Sequence, residues 1–381
     1  MKTDSRYLVW VGSVFDEFTV LNNKAVSPAA NNWQKGLITG LESQGLSVIT
    51  LAHLYEPIFP KGRLWISSND AMLHSSVKGE MISYCNLPIL KNKLLAKEYI
   101  NRLDLLCKIQ GKPSSIIIYN PYPYCVEVGM YAQKKLQIPT ICILADGVEK
   151  DMELAELSTG VVFLSWDAYQ NSDKKQKFHL DGGVEKFNFS DSAIPELTES
   201  SKLKILYTGG ISQHGGIEFL LREFSHIKIQ NIELWISGSG KNKDLEQVMK
   251  QDSRIKYFGL VTEEKLQELY KNADVFVNPR PSELALSRFN FPSKIFQYLS
   301  YGKPIISTWT GGISPDYQDL LVVIDESPFS LSKAVEEILR WDIEKYQNVT
   351  DNIKQFVETD RLWRIQSKKM ISWMRQNIFM D

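Results

Sequence analysis

Short apolar runs recur along the chain, and turn residues separate them from stretches in which apolar and polar residues alternate at helical spacing. In the first half, the runs that predict strands are residues 7–11, 46–51, 116–119, 140–144 and 160–164. Continuous apolar runs bounded by turn residues are typical of parallel strands that are buried on both faces. The first half therefore predicts a βαβ arrangement around a parallel sheet.

The connection after the first strand is long. It is predicted to be a loop over residues 12–26. Ser27 followed by Pro28 is a suitable helix start, because serine caps free amides and proline fits the first turn. This helix is predicted to continue to about residue 44 and to stop at Gly45.

A lysine-rich stretch at residues 91–108 leaves two interpretations open. Its leucines lie among several lysines and Arg102 at a spacing that suits a helix. An ordinary surface helix would bury such leucines in the protein core. The alternative is a basic helix that lies against lipid headgroups.

The alternation of strands and helices is clearest in the second half. Predicted strands are residues 203–207, 232–237, 255–258, 275–277 and 304–307. Predicted helices alternate with them at residues 216–224, 243–251, 262–271 and 292–301, and further helices follow from residue 330. Alternation at this spacing favours a doubly wound parallel sheet.

Between the two halves, residues 187–202 are polar and interrupt the alternation, which predicts a linker. We expect one Rossmann-like domain in residues 1–190 and a second in residues 200–359. The last helix, at about residues 360–381, is expected to cross back to the first domain. The two domains are expected to face each other across a cleft, because ligands of such folds bind at the carboxyl ends of the strands.

Composition narrows the class of protein. Of the 381 residues, 43% are hydrophobic and 23% are charged, and the formal net charge is −1. This balance gives no global attraction to nucleic acid or to an anionic membrane. None of the four cysteines forms a Cys-x-x-Cys pair, and every apolar run is far shorter than the roughly 20 residues that span a bilayer. We expect a cytoplasmic protein with reduced thiols, and any membrane contact would be peripheral, at the inner face.

Two turns in the second half could hold a phosphate. Gly209 and Gly210 follow one predicted strand, and Ser237 and Gly238 end the next. Backbone N–H groups in such turns can face an anion, although a plain strand-to-helix turn has the same sequence. Neither turn matches the dinucleotide or Walker fingerprint, which disfavours an oxidoreductase on two Rossmann domains and a P-loop enzyme.

A third loop is more specific. The sequence FPSK at residues 291–294 opens a predicted helix, so that Ser293 and Lys294 place a hydroxyl and a cation beside its positive end. A short amphipathic helix, the sequence GKP at residues 302–304 and a buried strand follow. This order predicts a diphosphate site with Lys294 as its main cation.

The second half resembles the retaining glycosyltransferases of the GT-B fold in glycosyltransferase family 4. The resemblance rests on ILYTGGISQHGGIEFLL, IELWISGSG, IKYFGLVTEEKLQELYKNADVFVNPR and FPSKIFQYLSYGKPIIS, in this order across residues 203–310. YLVWVGS, the SPAANNWQKGL helix and the last helix resemble the first domain of that fold more loosely. The FPSK version is similar to a subgroup of surface-polysaccharide and exopolysaccharide pathways.

The resemblance implies a reaction and a donor site. It implies transfer of a sugar from a nucleoside diphosphate with retention, without a cofactor or a side-chain nucleophile. No metal is expected, since the sequence has no Asp-x-Asp cluster. The co-substrate would be a UDP-, GDP- or dTDP-linked sugar. Its leaving diphosphate would be stabilised by Ser293, Lys294 and the Gly209 and Gly210 amides, with Arg280 as a further charge.

The chain departs from the family pattern at two glutamates. In the family these glutamates contact the donor sugar and the ribose, and here Phe289 and Gln297 stand in their places. Gln297 can still hydrogen-bond a ribose hydroxyl, and Glu283 is the candidate substitute for the sugar contact. The family's basic residues after the Gly210 turn are also missing. The gaps leave open a different donor such as a furanose or deoxy sugar, a weakened enzyme, or an inactive partner subunit of another transferase.

Polar residues at strand ends of the first domain are expected to bind the acceptor, a glycan or lipid-linked saccharide. Gly12 and Ser13 end one strand, and Asn120 and Tyr122 end another. The Asp146 carboxylate could orient an acceptor hydroxyl, or it could cap a helix from residue 147 onward. Some aromatic residues could stack on a sugar or pack in the core: Trp33, Tyr122 and Tyr124.

Overall fold

The computed structural model describes residues 7–23, 25–146, 155–188, 202–240 and 243–379. The chain divides into two compact units. The first unit comprises Met1–Glu185 together with Trp363–Asp381, and the second comprises Lys186–Leu362. Most of the predicted linker, residues 189–201, lies outside the described residues.

The first unit is built on a sheet of seven parallel strands. Its strands, with one separate pair, are β1 Tyr7–Val11, β2 Ser47–Ala52, β3 Trp65–Ile66, β4 Gly79–Met81, β5 Tyr84–Cys85, β6 Ser115–Tyr119, β7 Thr140–Leu144, β8 Gly160–Phe163 and β9 Lys177–His179. The sheet order is β4-β2-β1-β6-β7-β8-β9, and β3 pairs with β5 in antiparallel. Strands β1, β6 and β7 are buried at every position, as their continuous apolar runs require.

Five α-helices are described in the first unit before the chain enters the second. They are α1 Glu17–Asn22, α2 Pro28–Ser43, α3 Lys91–Gln110, α4 Pro123–Tyr131 and α5 Trp166–Asn171. The Ser27 hydroxyl accepts a hydrogen bond from the Ala30 amide, which confirms the predicted cap of α2. The predicted loop over residues 12–26 was wrong in part, since it contains α1. Asp16 caps α1 through the Thr19 amide.

The second unit repeats the design with six parallel strands. Its strands are β10 Leu203–Thr208, β11 Ile232–Ser237, β12 Ile255–Gly259, β13 Val275–Asn278, β14 Ile305–Thr308 and β15 Val322–Ile324, in the order β12-β11-β10-β13-β14-β15. Its helices are α6 Ile217–His226, α7 Lys243–Gln251, α8 Glu263–Asn272, α9 Ala285–Phe289, α10 Lys294–Leu299, α11 Ser330–Leu339 and α12 Ile343–Phe356. The predicted doubly wound sheet is confirmed in both units.

The last helix, α13 Trp363–Asn377, returns to the first unit as predicted. It packs along α2 where that helix has glycine. A Cβ atom on Gly36 would lie 2.1 Å from Nε1 of Trp363, so only glycine permits this approach. The Trp363 indole also meets the Trp33 indole edge-on, with ring centroids 5.6 Å apart. This contact fixes α13 on α2.

The structure corrects the start of one predicted helix and selects between two interpretations of another. The helix predicted from residue 292 begins at Lys294, because residues 292–295 form a turn in which the Ile295 amide donates to the Pro292 carbonyl. Helix α3 buries Leu95, Leu103 and Leu106 in the core of the first unit. The structure therefore favours the ordinary surface helix over a basic helix that lies along its length against lipid headgroups.

Candidate functional site

Each sheet has one position where the strand order reverses. In the second unit it lies between β10 and β13, and in the first unit it lies between β1 and β6. Ligands of doubly wound sheets bind beyond the carboxyl ends of the strands at this position, because the connections there diverge to opposite faces and leave a crevice. The loops that leave these four strands carry most of the sequence-predicted site residues.

The turn after β10 is tied to the end of β11. The Gly209 N–H donates to the Ser237 carbonyl at 2.9 Å. Gly238 has a φ of +153°, and a Cβ atom there would lie 1.7 Å from the Gly209 carbonyl oxygen. Only glycine permits this approach. The Gly209 amide therefore belongs to the hydrogen bonding of the sheet and is removed from the free amides that the sequence predicted.

Ser237 and Gly238 are engaged on their other side. Both donate to the Gly259 carbonyl, from the Ser237 Oγ at 3.0 Å and from the Gly238 amide at 2.9 Å. The Gly210 amide, by contrast, donates to no group in the described part of the chain. Its carbonyl accepts the Tyr207 hydroxyl at 2.8 Å, which fixes the turn. Of the four predicted turn residues, Gly210 therefore keeps a backbone donor for an anion.

Arg280 lies in the loop after β13, close to this turn. Gly216, with a φ of +78°, lets the start of α6 approach that loop, since a Cβ atom would lie 1.9 Å from the Pro279 carbonyl oxygen. The Arg280 guanidinium donates to Oδ1 of Asn290 at 2.5 Å. Burial raises the pKa of Tyr207, and the nearby Arg280 charge opposes that rise. The structure thus brings Arg280 and the Gly210 turn together at the reversal position.

Helix α10 presents its side chains to the end of β10. The Tyr298 hydroxyl accepts the Thr208 amide at 3.0 Å, which joins the helix to the strand end. Oε1 of Gln297 accepts the hydroxyl of Tyr270 at 2.8 Å, and this hydroxyl also bonds Oγ1 of Thr208 at 3.1 Å. Lys294 precedes Gln297 by three residues and Tyr298 by four, so the three side chains share one face. Lys294 therefore lies over the same strand end.

The Lys294 ammonium is partly buried and makes no hydrogen bond within the described residues. Burial lowers its pKa, and the carboxylate of Glu263 at the start of α8 opposes this effect. A bound diphosphate would raise the pKa again, because an opposite charge favours the protonated form. Ser293 makes no side-chain capping bond. Lys294 and Ser293 thus remain available to a ligand.

Three further residues of the second unit bear on the candidate site. They are Glu283, and Glu326 and Lys303, which the sequence analysis did not assign. Glu283 is exposed, whereas the Glu326 carboxylate accepts both the amide and the hydroxyl of Ser282, at 2.6 and 2.7 Å. Glu326 therefore anchors the loop after β13. Lys303 is 3% exposed and donates to carbonyls at the end of α8, and burial lowers its pKa to about 8. The lysine of the GKP sequence is thus a helix cap rather than a ligand contact.

The turn after β1 in the first unit is held by Gln34 of α2. Its Oε1 accepts the Ser13 amide at 3.0 Å and the Trp10 indole at 3.1 Å, and its Nε2 donates to the Ser13 carbonyl at 3.0 Å. A Cβ atom on Gly12 would lie 2.2 Å from the Gln34 oxygen. Gly12 and Ser13 therefore form a rigid turn at the first unit's reversal position.

Asn120 and Asp146 meet at the neighbouring strand ends. The Asn120 Nδ2 donates to Oδ2 of Asp146 at 3.3 Å, and its Oδ1 accepts the Ala145 amide at 2.9 Å. Asn120 adopts a left-handed φ of 52°, a conformation that asparagine tolerates better than most residues. Asp146 is exposed. The alternative role of Asp146 as a helix cap concerns residues 147–154, which lie outside the described residues.

The aromatic residues divide into packed and exposed ones. Trp33 is 6% and Tyr124 is 4% exposed, so both belong to the core, whereas Tyr122 is 42% exposed. The Tyr122 ring lies 5.6 Å from that of Tyr55, a residue that the sequence analysis missed. Tyr55 follows β2, and its place beside Tyr122 depends on the strand order, which no local pattern reveals. The exposed Tyr122 ring, with the half-buried Tyr55 ring beside it, gives the strand ends an aromatic surface.

A second residue that the sequence analysis missed lies beneath this surface. His53 is 1% exposed and packs against four tyrosines: Tyr55, Tyr84, Tyr99 and Tyr124. Its Nδ1 shares a hydrogen bond of 2.9 Å with the Tyr99 hydroxyl. Burial, with a smaller contribution from the Lys91 charge, lowers the pKa of His53 to about 3. His53 is therefore a neutral support for the aromatic residues.

Comparisons with known proteins agree with this geometry. Residues 202–340 match the family Glycosyl transferases group 1. The uncharacterized glycosyltransferase MJ1607 of Methanocaldococcus jannaschii is 27% identical over 197 residues, which cover 49% of this chain and 48% of that protein. The chain thus matches about half the length of this curated relative.

Solved structures share the fold over nearly the whole chain. Sucrose-phosphate synthase from Thermosynechococcus elongatus has a TM-score of 0.71 at 16% identity, over 97% of this chain and 98% of that chain. HepE from Anabaena, solved in complex with UDP-glucose, has a TM-score of 0.66 at 11% identity, over 97% and 99%. At such identities the likeness shows the fold.

No helix among the described residues is long and apolar enough to cross a membrane. The matched residues include the loops at the second unit's reversal position, and the fold is the GT-B fold that the sequence resemblance implied. The group 1 domain and the structural neighbours together support a glycosyltransferase. The chain accordingly has the GT-B fold, and its residues 202–340 match the family Glycosyl transferases group 1.

Proposed function

We propose that this chain transfers a glycosyl group from a nucleoside diphosphate sugar to an acceptor hydroxyl with retention at the anomeric carbon. One observation carries the proposal. The Gly210 turn, Arg280 and the face of α10 with Lys294 and Gln297 come together at the reversal position of the second sheet. This set offers one ligand the backbone N–H of Gly210, the cations of Lys294 and Arg280, and the side-chain amide of Gln297.

The donor fits these groups by its charge. A diphosphate would accept hydrogen bonds from the Gly210 amide and from the Lys294 ammonium, with Arg280 contributing charge. The ribose would contact the Nε2 of Gln297, since Tyr270 already occupies the Gln297 oxygen. The base remains open among uracil, guanine and thymine. The UDP-glucose bound by the structural neighbour HepE favours UDP-glucose as the first donor to test.

The reaction needs no protein nucleophile and, in this proposal, no metal. The bond between the anomeric carbon and the diphosphate oxygen breaks, and a bond to the acceptor oxygen forms on the same face. The acceptor proton passes to the leaving diphosphate. Lys294 and the Gly210 amide stabilise the charge that develops on the diphosphate, which is the main electrostatic contribution expected in such a site.

The acceptor is assigned to the strand ends of the first unit. Tyr122 and Tyr55 offer aromatic faces to a saccharide ring, and Asp146 offers a carboxylate to its hydroxyls. A glycan or lipid-linked saccharide of a surface-polysaccharide pathway is the proposed acceptor. This assignment is supported by the resemblance of the FPSK sequence to transferases of such pathways.

A second candidate function is a nucleotide-binding partner subunit without activity of its own. Phe289 and Gln297 replace the two family glutamates, and the candidate substitute Glu283 is exposed without a hydrogen bond in the described part of the chain. Such a subunit would retain the diphosphate site and lose the contacts to the donor sugar.

Calorimetric titration tests the donor site. UDP, GDP, dTDP and the bare nucleosides are titrated into the wild type, Lys294→Ala and the matched control Lys271→Ala, whose side chain is exposed on α8. Charge-assisted hydrogen bonds contribute about 1.5–3 kcal/mol, so Lys294→Ala should weaken diphosphate binding by about one to two orders of magnitude. Nucleoside binding and the control variant should stay unchanged.

Two further results decide between the candidates. Binding of a nucleoside diphosphate with no donor hydrolysis and no transfer to any saccharide would favour the partner subunit. Turnover that Asp146→Ala lowers more than donor affinity would support the acceptor assignment, and the anomeric configuration of the product by NMR tests retention. Failure of all three diphosphates to bind would overturn both candidates.

A further inference from the structure

Six large apolar side chains lie exposed on two neighbouring segments of the first unit. Their exposed fractions are between 40% and 97%, and they are Ile58, Phe59, Leu64, Trp65, Ile89 and Leu90. We call residues 58–65 and 89–90 the apolar tip. Monomeric soluble proteins rarely expose apolar groups together in this way, and such patches mark contacts with proteins or membranes.

Hydrogen bonds hold the backbone of the apolar tip in place. Asn86 is fully buried and ties the two segments together. Its Nδ2 donates to the Pro57 carbonyl at 2.7 Å and to the Arg63 carbonyl at 2.9 Å, and its amide donates to the Leu64 carbonyl at 2.7 Å. The Phe59 amide donates in turn to the Asn86 carbonyl at 3.3 Å. The apolar side chains are therefore presented on a fixed backbone.

The backbone conformation and the exposure of Ile89 both lower the stability of the folded protein. It has a φ of 66° and is 97% exposed. The left-handed conformation is unfavourable for a β-branched residue, and an exposed isoleucine gains nothing from the core. Strained positions that the fold retains point to a role outside folding. Ile89 is therefore best explained by a partner that covers it.

The charges around the tip indicate which partner this is. Residues 86–97 contain three lysines and no acidic residue, and the next residue, Glu98, is half-buried. Lys93 and Lys97 are exposed on the first turns of α3. The nearby acids Glu56 and Asp70 both pair with Arg63, at 3.2 and 3.0 Å. Exposed apolar side chains beside unpaired lysines complement a bilayer with anionic headgroups, where tryptophan also favours the interface.

We propose that the apolar tip inserts into the surface of an anionic membrane, with Ile89, Leu90 and Trp65 in the headgroup layer and Lys93 and Lys97 on the lipid charges. The leucine face of α3 packs in the core. Only the start of α3 therefore takes part. This surface would bring the first unit to a lipid-linked acceptor, but membrane binding itself does not depend on the proposed transferase activity.

Vesicle co-sedimentation of the full chain tests the proposal. The vesicles are phosphatidylcholine alone and phosphatidylcholine mixed with phosphatidylglycerol. The variants are Trp65→Ser with Ile89→Ser, and Lys93→Gln with Lys97→Gln. Leu260→Ser is the matched control, because Leu260 is 74% exposed on the second unit. Circular dichroism and nucleoside diphosphate titration confirm that each variant is folded.

We expect the wild type and the control to bind the mixed vesicles and to bind phosphatidylcholine weakly. The apolar double variant should lose about tenfold in partitioning. The lysine variant should lose about fivefold for each lysine, on mixed vesicles only. No binding by the wild type, or equal binding by the apolar variant, would overturn the proposal. A wild-type dimer that the apolar variant converts to a monomer, without lipid binding, would assign the tip to a second copy instead.

Discussion

Tyr270 donates its hydroxyl hydrogen to Oε1 of Gln297 at 2.8 Å, and this bond decides what Gln297 can offer a ligand. With its oxygen occupied, Gln297 presents the two N–H groups of Nε2. A glutamate at this position would present a second carboxylate oxygen instead. The substitution therefore changes the ribose contact from an acceptor to a donor, and a ribose hydroxyl can bond with either.

Replacing Gln297 tests this contact. Gln297→Leu should weaken uridine and UDP binding alike, by about fivefold, because one neutral hydrogen bond of about 1 kcal/mol is lost. Gln297→Glu should keep most of the affinity. Calorimetry with a dideoxynucleoside, which lacks the ribose hydroxyls, provides the control, since wild type and variant should then bind equally. A loss confined to UDP would move Gln297 to the diphosphate.

Lys303 should contribute to stability and little to binding. Its ammonium donates to the Tyr270, Lys271 and Ala273 carbonyls at the end of α8. Lys303→Met should lower the free energy of unfolding by about 2–3 kcal/mol, because buried carbonyls lose a charged donor. The exposed Lys271→Met should change it by less than about 0.5 kcal/mol.

Urea unfolding of both variants measures this difference, and calorimetry at a temperature where both are folded measures nucleotide affinity. A stable Lys303→Met protein with weakened nucleotide binding would contradict the helix-cap assignment.

The seam between α2 and α13 depends on a glycine. Gly36→Ala should destabilise the first unit by about 1–3 kcal/mol, because the added methyl group overlaps the Trp363 indole. Gly129→Ala is the matched control. Its Cβ atom would meet only Ile118 Cδ1 at 3.6 Å, so a helical alanine there should stabilise by about 0.5–1 kcal/mol. Thermal unfolding of both variants checks the contrast, and equal midpoints would argue against a tight seam.

His53 should make the first unit sensitive to acid. Its pKa is about 3 in the folded protein against 6.5 in the unfolded chain. The unfolded state therefore binds the proton between these values, and stability falls as the pH drops from 6.5 towards 3. The loss between pH 7 and pH 5 should be about 2 kcal/mol.

Urea unfolding at both pH values, with His53→Gln as the comparison, isolates this contribution. The variant should lose about 2 kcal/mol less than the wild type over the same interval. An identical pH dependence in the two proteins would show that His53 is protonated without cost in the folded state.

Sequence patterns predicted most strands of both sheets, because a buried parallel strand needs a continuous apolar run, and missed the short strands β4, β9 and β15. They also located the loops that follow these strands, which carry the candidate site residues. The hydrogen-bond partners of the loop residues could not be predicted from the sequence. Whether the Gly209 amide is free depends on Ser237, and the loop after β13 depends on Glu326, 44 positions from Ser282.

The apolar tip escaped prediction for a different reason. Its exposed residues resemble core residues in sequence, and only the fold shows that nothing in the described part of the first unit covers Ile89. The same limit applies to Tyr55 and Tyr122, which lie on loops far apart in the chain and meet through the strand order.

The return of α13 to the first unit has a consequence for the order in which the protein is made. A ribosome completes residues 186–362 before it synthesises α13, so the later unit of the chain has all its residues while the earlier one still lacks a helix. Domains generally fold as their residues become available during synthesis. The surface of α2 at Gly36 therefore stays exposed to water until Trp363 has been synthesised. Closure of this seam therefore comes after the synthesis of the second unit.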